Sequence, residues 1–294
     1  MTAMFTGTLP ALITPFRDGA IDEKALRELV ERCITGGCDG LVPCGTTGES
    51  VTLSEDEHAR VVRIVVEQAK KRVPVVAGAG TVSTKHTIEL AQLCKEAGAD
   101  GLLLVCPYYN RPTQAGLEAH FRAVLGAVPL PTILYNIPGR TGVDLSLETL
   151  ERLADVRAIV GIKEATGNVL RSQQILARTG DRFTVLSGDD ALTLAVLAVG
   201  GHGVISVTAN LLPKETSEVV RLWNAGRIAE ARALHLRLSA VHESMFVEAN
   251  PGPVKAAIAD DGHVAKELRL PLVWPEEASM AKVRGALRAA GLRS

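Results

Sequence analysis

Gly101-Leu102-Leu103-Leu104-Val105-Cys106 decides how this chain folds. Its central residues are apolar without alternation, so both faces of the strand they form must be covered. Such a strand belongs to a parallel sheet flanked by helices, because a sheet with one wet face alternates apolar and polar residues. Working outward, comparable runs occur at 7–15, 40–44, 73–77, 131–135, 159–163, 183–187 and 203–207, making eight in all. Between them lie stretches of helical period at 22–35, 54–70, 84–97, 114–128, 147–155, 169–178, 189–199 and 213–225. Asp22 and Ser54 are expected N-caps, Ser54 with Glu57 three residues on as a capping box. Lys70, Lys71 and Arg72 close the second helix, where cations suit the dipole.

Eight strand–helix units within about 225 residues predict an α/β protein, a closed (β/α)8 TIM barrel. An open doubly wound sheet supplies no reason for a count of eight. From Gly226 the pattern is helical only, at 227–247, 253–260 and 276–290. The expected organisation is a catalytic barrel over 1–225 and a C-terminal helical domain over 226–294, packed on the barrel or against a partner subunit.

Composition narrows the function. The 294 residues carry 32 Lys and Arg against 33 Asp and Glu, a net charge of −1, and only 3% are aromatic. Nucleic-acid binding calls for a basic stripe or base-stacking aromatics, and an anionic membrane surface for a basic excess. Residues 1–8 lack a basic segment followed by a long apolar run, and no stretch reaches the ~18 apolar residues of a membrane span. Cys33, Cys38, Cys44, Cys94 and Cys106 form an odd set without Cys-x-x-Cys spacing, expected as reduced, buried thiols of a cytoplasmic protein.

Barrel enzymes keep their chemistry at the carboxyl ends of strands. There the chain presents 45–50 (GTTGES), 107–112 (PYYNRP), 135–142 (YNIPGRTG), 163–167 (KEATG) and 187–190 (SGDD). Lys163 ends an apolar run. A lysine facing a barrel mouth loses hydration, which favours its neutral, nucleophilic form. At its free pKa only about 0.1% is neutral at pH 7.5; lowering it by ~3 units costs about 4 kcal/mol and raises that fraction several hundredfold. Such an amine forms a Schiff base with a carbonyl substrate. The plainer alternative is an ion pair with Glu164 or another carboxylate.

A Schiff base with an α-keto acid needs a carboxylate cradle and a proton shuttle. Thr46 and Thr47 offer hydroxyls and, with Gly45 and Gly48, exposed N–H groups. Tyr135 can move the proton, and Arg140 suits bidentate capture of a second carboxylate. Each has a plain alternative: a capped turn, packing, or a solvated arginine. Gly78-Ala79-Gly80 lacks the third glycine of a dinucleotide site, and no Walker-type run exists. Asp189 and Asp190 are explained by the helix dipole. No histidines stand at i, i+4, so neither metal nor cofactor is expected.

Taken together and in order, these segments, with Gly201–Asn210 and Leu268-Arg269-Leu270-Pro271, resemble the dihydrodipicolinate synthase family of pyruvate-dependent class I aldolases over essentially the whole chain. The resemblance implies a barrel with a C-terminal helical domain, a homotetramer of tight dimers, and condensation of pyruvate with aspartate-4-semialdehyde in lysine biosynthesis. It implies that Lys163 is the Schiff-base lysine and Tyr135 the proton donor and acceptor. Thr46 and Tyr109 would complete a proton relay, Tyr109 coming from the neighbouring subunit. Thr47, the backbone of Ile205, and Gly188 would contact pyruvate, and Arg140 would hold the semialdehyde carboxylate.

One departure stands out. Lysine-inhibited relatives carry a histidine, an asparagine and a glutamate where this chain has Glu55, Val82 and His86, beside retained Ser50, His58 and Tyr108. Weak or absent lysine feedback is therefore expected. The rival readings are a sister aldolase (N-acetylneuraminate lyase or a keto-deoxy-sugar-acid aldolase) and a non-catalytic keto-acid binder. Arg140 speaks against the first, and the nucleophile Lys163 against the second.

Overall fold

The computed structural model describes residues 4–292. Its strands are β1 (Gly7–Pro10), β2 (Phe16–Arg17), β3 (Ala20–Ile21), β4 (Val76–Gly78), β5 (Gly101–Val105), β6 (Thr132–Asn136), β7 (Ile159–Glu164), β8 (Thr184–Ser187) and β9 (Gly203–Ser206). The β2–β3 pair is a small antiparallel hairpin; the other seven form one parallel sheet, ordered β1-β9-β8-β7-β6-β5-β4. Closure comes from the run at 40–44. Leu41 bridges Val75, and Val42 bridges Ala11, both in the parallel sense. The Leu41 N–H donates to the Pro74 carbonyl and the Val42 N–H to that of Pro10, each at 2.9 Å. The eighth stave is thus present, but shorter than a regular strand. Pro43 has no N–H to give, and Cys44 turns to φ +56°.

The helices are α1 (Glu23–Thr35), α2 (Glu55–Ala69), α3 (Thr84–Glu96), α4 (Gln114–Ala127), α5 (Pro138–Thr141), α6 (Leu147–Arg152), α7 (Val169–Thr179), α8 (Thr193–Ala198), α9 (Pro213–Asn224), α10 (Ile228–Ser244), α11 (Gly252–Asp260) and α12 (Glu277–Ala289). The expected caps form. Asp22 accepts from the Ala25 N–H, and Ser54 and Glu57 make a reciprocal capping box. Beyond α9 the regular elements among the described residues are all helices, with α10 lying against α9 and α12, and α11 against α12. Among the described residues no helix is long and apolar enough to cross a membrane.

Two apolar layers follow from strand alternation. Leu102, Leu104, Ile162 and Val185 face outward, into a layer shared with Leu26, Val62 and Phe121 of the helices. Leu9, Val42, Val76, Leu103, Ile133, Leu186 and Ile205 fill the barrel interior beneath Tyr135. All five cysteines are buried and unpaired.

β7 breaks the alternation once, with consequences for the site. Thr132 pairs with Ile159, but Ile133 pairs with Gly161, so β7 holds one extra residue against β6. Ile159 and Ile162, three apart, both reach the outer layer, while Val160 packs on the inner one. A β-bulge re-aims the side chains beyond it, and here it turns Lys163 inward. Strict alternation from Ile159 would face Lys163 outward. A Cβ on Gly161 would lie 2.6 Å from the Thr184 carbonyl oxygen, so the kink needs glycine.

Candidate active site

Lys163 ends the inner face of β7 and is 6% exposed. Tyr135 on β6 is its register partner, and the Lys163 Nζ stands 4.1 Å from the centre of the Tyr135 ring. Burial lowers the lysine pKa from 10.5 to about 7; Asp190 opposes the shift and Arg140 adds to it. A drop of that size corresponds to about 5 kcal/mol in favour of the neutral amine. Glu164 is not its partner. That carboxylate faces outward and accepts from Arg171 Nε at 3.0 Å, Asn136 Nδ2 at 3.2 Å and the Thr166 N–H at 2.8 Å. Burial pushes the Tyr135 phenol up, against the pull of Arg140.

Lys163, Tyr135, Thr46, Thr47, Arg140 and Gly188 line one cavity of about 50 Å³, together with Phe246 and Asn250. It adjoins a second, of about 250 Å³, that shares Thr46, Tyr135 and Arg140. A Cβ on Gly188 would sit 2.5 Å from the Ala165 Cβ and 3.1 Å from the Lys163 Cε, so only glycine leaves the amine its room. Ile205 lies lower, in the interior apolar layer, and its side chain is fully buried. Tyr109 is not brought to the cavity within one chain. It is 92% exposed, in a turn at φ +68°.

The 45–50 loop departs in part from expectation. The Gly48 N–H is committed to the Gly45 carbonyl at 3.1 Å and is no free anion donor. Thr47 is buried, and its Oγ1 accepts from Asn250 Nδ2 at 3.0 Å. Cys44 and Glu49 bracket the loop in left-handed conformations, uncommon for such residues. Glu49 is anchored from below: its Oε1 accepts from Lys255 Nζ of α11 at 2.7 Å and its Oε2 from the Arg269 N–H at 3.0 Å. The Lys255–Glu49 pair is sealed, with side chains 0% and 1% exposed.

The helix-dipole reading of Asp189 and Asp190 holds for the first only. Asp189 accepts from the Ala191 N–H at 2.9 Å. Asp190 is buried and accepts from Ser206 Oγ, from the Val207 N–H at 2.8 Å and from the Thr208 N–H at 3.0 Å. It thereby shapes the end of β9 beside the amine. Sequence reasoning missed it, along with Phe246 and Asn250, because nothing local ties those positions to the barrel mouth. Among the described residues no cluster of His, Cys, Asp or Glu could hold a metal ion.

Glu55, Val82 and His86 line a further cavity of about 330 Å³ with Ser50, His58 and Tyr108. His86 Nε2 lies 3.3 Å from Glu55 Oε1. Burial lowers the His58 pKa to about 4, and its Nε2 pairs with the Gly78 carbonyl at 2.8 Å.

Comparison with known proteins gives one consistent result. The Dihydrodipicolinate synthetase family matches residues 4–290. A 4-hydroxy-tetrahydrodipicolinate synthase of Geobacter sp. (strain M21) is 55% identical over 285 residues, 97% of this chain and 98% of its own. Among solved structures, the 4-hydroxy-tetrahydrodipicolinate synthase of Methylacidiphilum fumariolicum SolV superposes with a TM-score of 0.96 at 46% identity, covering 98% of this chain and 96% of that one. The chloride-inhibited dihydrodipicolinate synthase of Acinetobacter baumannii, complexed with pyruvate, gives 0.96 at 44% identity, covering 98% of this chain and 100% of that one.

Proposed function

This chain belongs to the dihydrodipicolinate synthetase family, and from that premise we propose that it condenses pyruvate with L-aspartate-4-semialdehyde to 4-hydroxy-tetrahydrodipicolinate, a step of lysine (diaminopimelate) biosynthesis. The observation that carries this reading is Lys163: a buried amine with a pKa near 7, a register partner of Tyr135, in a cavity shared with Thr46, Thr47 and Arg140.

The residues are assigned as follows. Lys163 Nζ attacks the pyruvate ketone carbon, and loss of water leaves a protonated imine. That imine is the electron sink, so no added cofactor is required. Tyr135 accepts a methyl proton, giving an enamine whose carbon adds to the aldehyde carbon. The semialdehyde amine then displaces Lys163 and closes the ring, so each turnover releases one water. Thr47 and the backbone at Ile205 and Gly188 receive pyruvate, and Arg140 takes the second carboxylate. Thr46 hands protons on from Tyr135, in a relay completed by Tyr109 of the partner subunit. The near-complete exposure of Tyr109 supports donation across an interface, in a homotetramer built from dimers. The near-cancelling charge supports small substrates, with neither nucleic acid nor membrane as partner, and the five free thiols support a cytoplasmic enzyme. The barrel over 1–225 carries the chemistry, and the helical domain over 226–294 braces it through Lys255 and Asn250.

Neither a sister aldolase nor a keto-acid binder is favoured, since synthases match along nearly the full length. Borohydride reduction in the presence of pyruvate, followed by peptide mass spectrometry, tests the reading. A reduced pyruvate adduct on Lys163 is expected; an unmodified protein would overturn it.

A further inference from the structure

Asn250 sits between α10 and α11, 203 residues from Thr47, yet lines the cavity that holds Lys163. It is 6% exposed. Its Nδ2 donates to Thr47 Oγ1, but its Oδ1 is buried with no hydrogen-bond partner. Buried polar atoms are nearly always paired in a folded protein. On a residue that lines a reactive cavity, an orphan acceptor is free to take a donor from a ligand.

We propose that Asn250 recognises the α-ammonium group of the second substrate, accepting its N–H at Oδ1 while Nδ2 orients Thr47. The proposal rests on the synthase reading above. Pyruvate cannot supply the missing donor, because its carboxylate and ketone oxygens only accept. Aspartate semialdehyde can: its ammonium and its carboxylate hang on one carbon. Arg140, the carboxylate partner, lines the same cavity as Asn250. A guanidinium and an amide carbonyl together match the head group of an α-amino acid.

The other end of the amide serves the first substrate. An NH₂ only donates, so Thr47 oxygen is the acceptor in their bond, and the Thr47 proton is left to point at the pyruvate carboxylate. The choice of amide over acid also has a reason. A carboxylate at this position would bind an ammonium more strongly, but it would also favour the protonated form of Lys163 and suppress the nucleophile. A neutral acceptor recognises one amine without silencing the other.

The test compares L-aspartate semialdehyde with succinate semialdehyde, which keeps the aldehyde and carboxylate and lacks the amine. In Asn250→Ala, the KM for the amino substrate should rise about tenfold or more, the usual scale for a lost hydrogen bond to a charged group. The inhibition constant of succinate semialdehyde should change less than about twofold on the same scale. Equal weakening of both would show that Asn250 acts only through Thr47 and would overturn the proposal. Asn250→Asp provides a second variant of nearly the same shape. It should keep the preference for the amino substrate and move the pH midpoint of imine formation upward; loss of the preference overturns the proposal as well. Pyruvate trapping on Lys163 is measured alongside in every variant. Its failure in the unaltered protein would strike the synthase reading instead, so the two outcomes stay distinct.

Discussion

Lys163 and Tyr135 face each other across a β6–β7 register pair, the amine 4.1 Å from the ring centre. Backbone pairing, rather than two independent rotamers, therefore sets the spacing of amine and phenol. Tyr135→Phe keeps the ring against the lysine and removes only the hydroxyl. Pyruvate should still be trapped on Lys163, while kcat falls about 10²–10⁴-fold, the range of a lost general acid–base. Unchanged turnover would remove Tyr135 from the proton path.

Imine formation should follow the titration of Lys163. Its rate should rise as pH passes through about 7 and level off above, since the neutral amine is the nucleophile. Rapid-mixing trapping with borohydride between pH 5.5 and pH 9 (roughly two units either side of the midpoint) gives the profile. A midpoint near the free-lysine value would contradict the desolvated amine.

The same shift acts on stability with a definite sign. The folded-state pKa lies below the unfolded value of 10.5, so folding disfavours the proton. The penalty is complete below about pH 7 and fades as pH climbs toward 10.5. At neutral pH it amounts to about 4 kcal/mol. Lys163→Met should therefore raise the melting temperature at neutral pH, and its advantage should shrink near pH 10 (roughly the unfolded pKa). Thermal melts at the two pH values check it; a variant that melts lower at neutral pH would refute it.

The sealed Glu49–Lys255 pair joins the threonine loop to α11. Lys255→Met would strand a buried carboxylate and should cost about 3–5 kcal/mol, with most of the loss recovered in Lys255→Met/Glu49→Gln. Denaturant titration of single and double variants measures the coupling. Additive losses would mean that the two side chains are independent.

Lysine should inhibit weakly or not at all. An ammonium ligand needs acceptors, but Val82 presents only methyl groups to this cavity, 41% exposed. Initial rates with and without added L-lysine decide the matter; marked inhibition below one millimolar (roughly the scale of an ordinary small-ligand site) would overturn it.

Most of the architecture was legible because burial on both faces leaves continuous apolar runs, as in 101–106, and helix starts carry their own caps at Asp22 and Ser54. The stave at 40–44 reads as a strand but bonds through only a few groups, since Pro43 and the turn at Cys44 interrupt it. Lys163, Tyr135, Thr46, Thr47, Arg140 and Gly188 stand at strand ends or in the loops after them, so topology alone gathers them. Asn250, Phe246 and Lys255 arrive from the helical region through packing that no local pattern encodes. Asp190 was hidden for a different reason. Beside Asp189 it looks like a helix-start acid, and only the fold shows its oxygens turned onto Ser206, Val207 and Thr208.

The extra residue in β7 makes the reactive position a matter of parity. Removing or adding a single residue between Ile159 and Ile162 would exchange the two neighbours at the strand's end, sending Glu164 into the barrel and Lys163 out toward Arg171. This stave can accept changes of side chain, or changes of length by even steps. An odd step would install an acid in place of the amine and leave a cylinder of the same shape without its buried lysine.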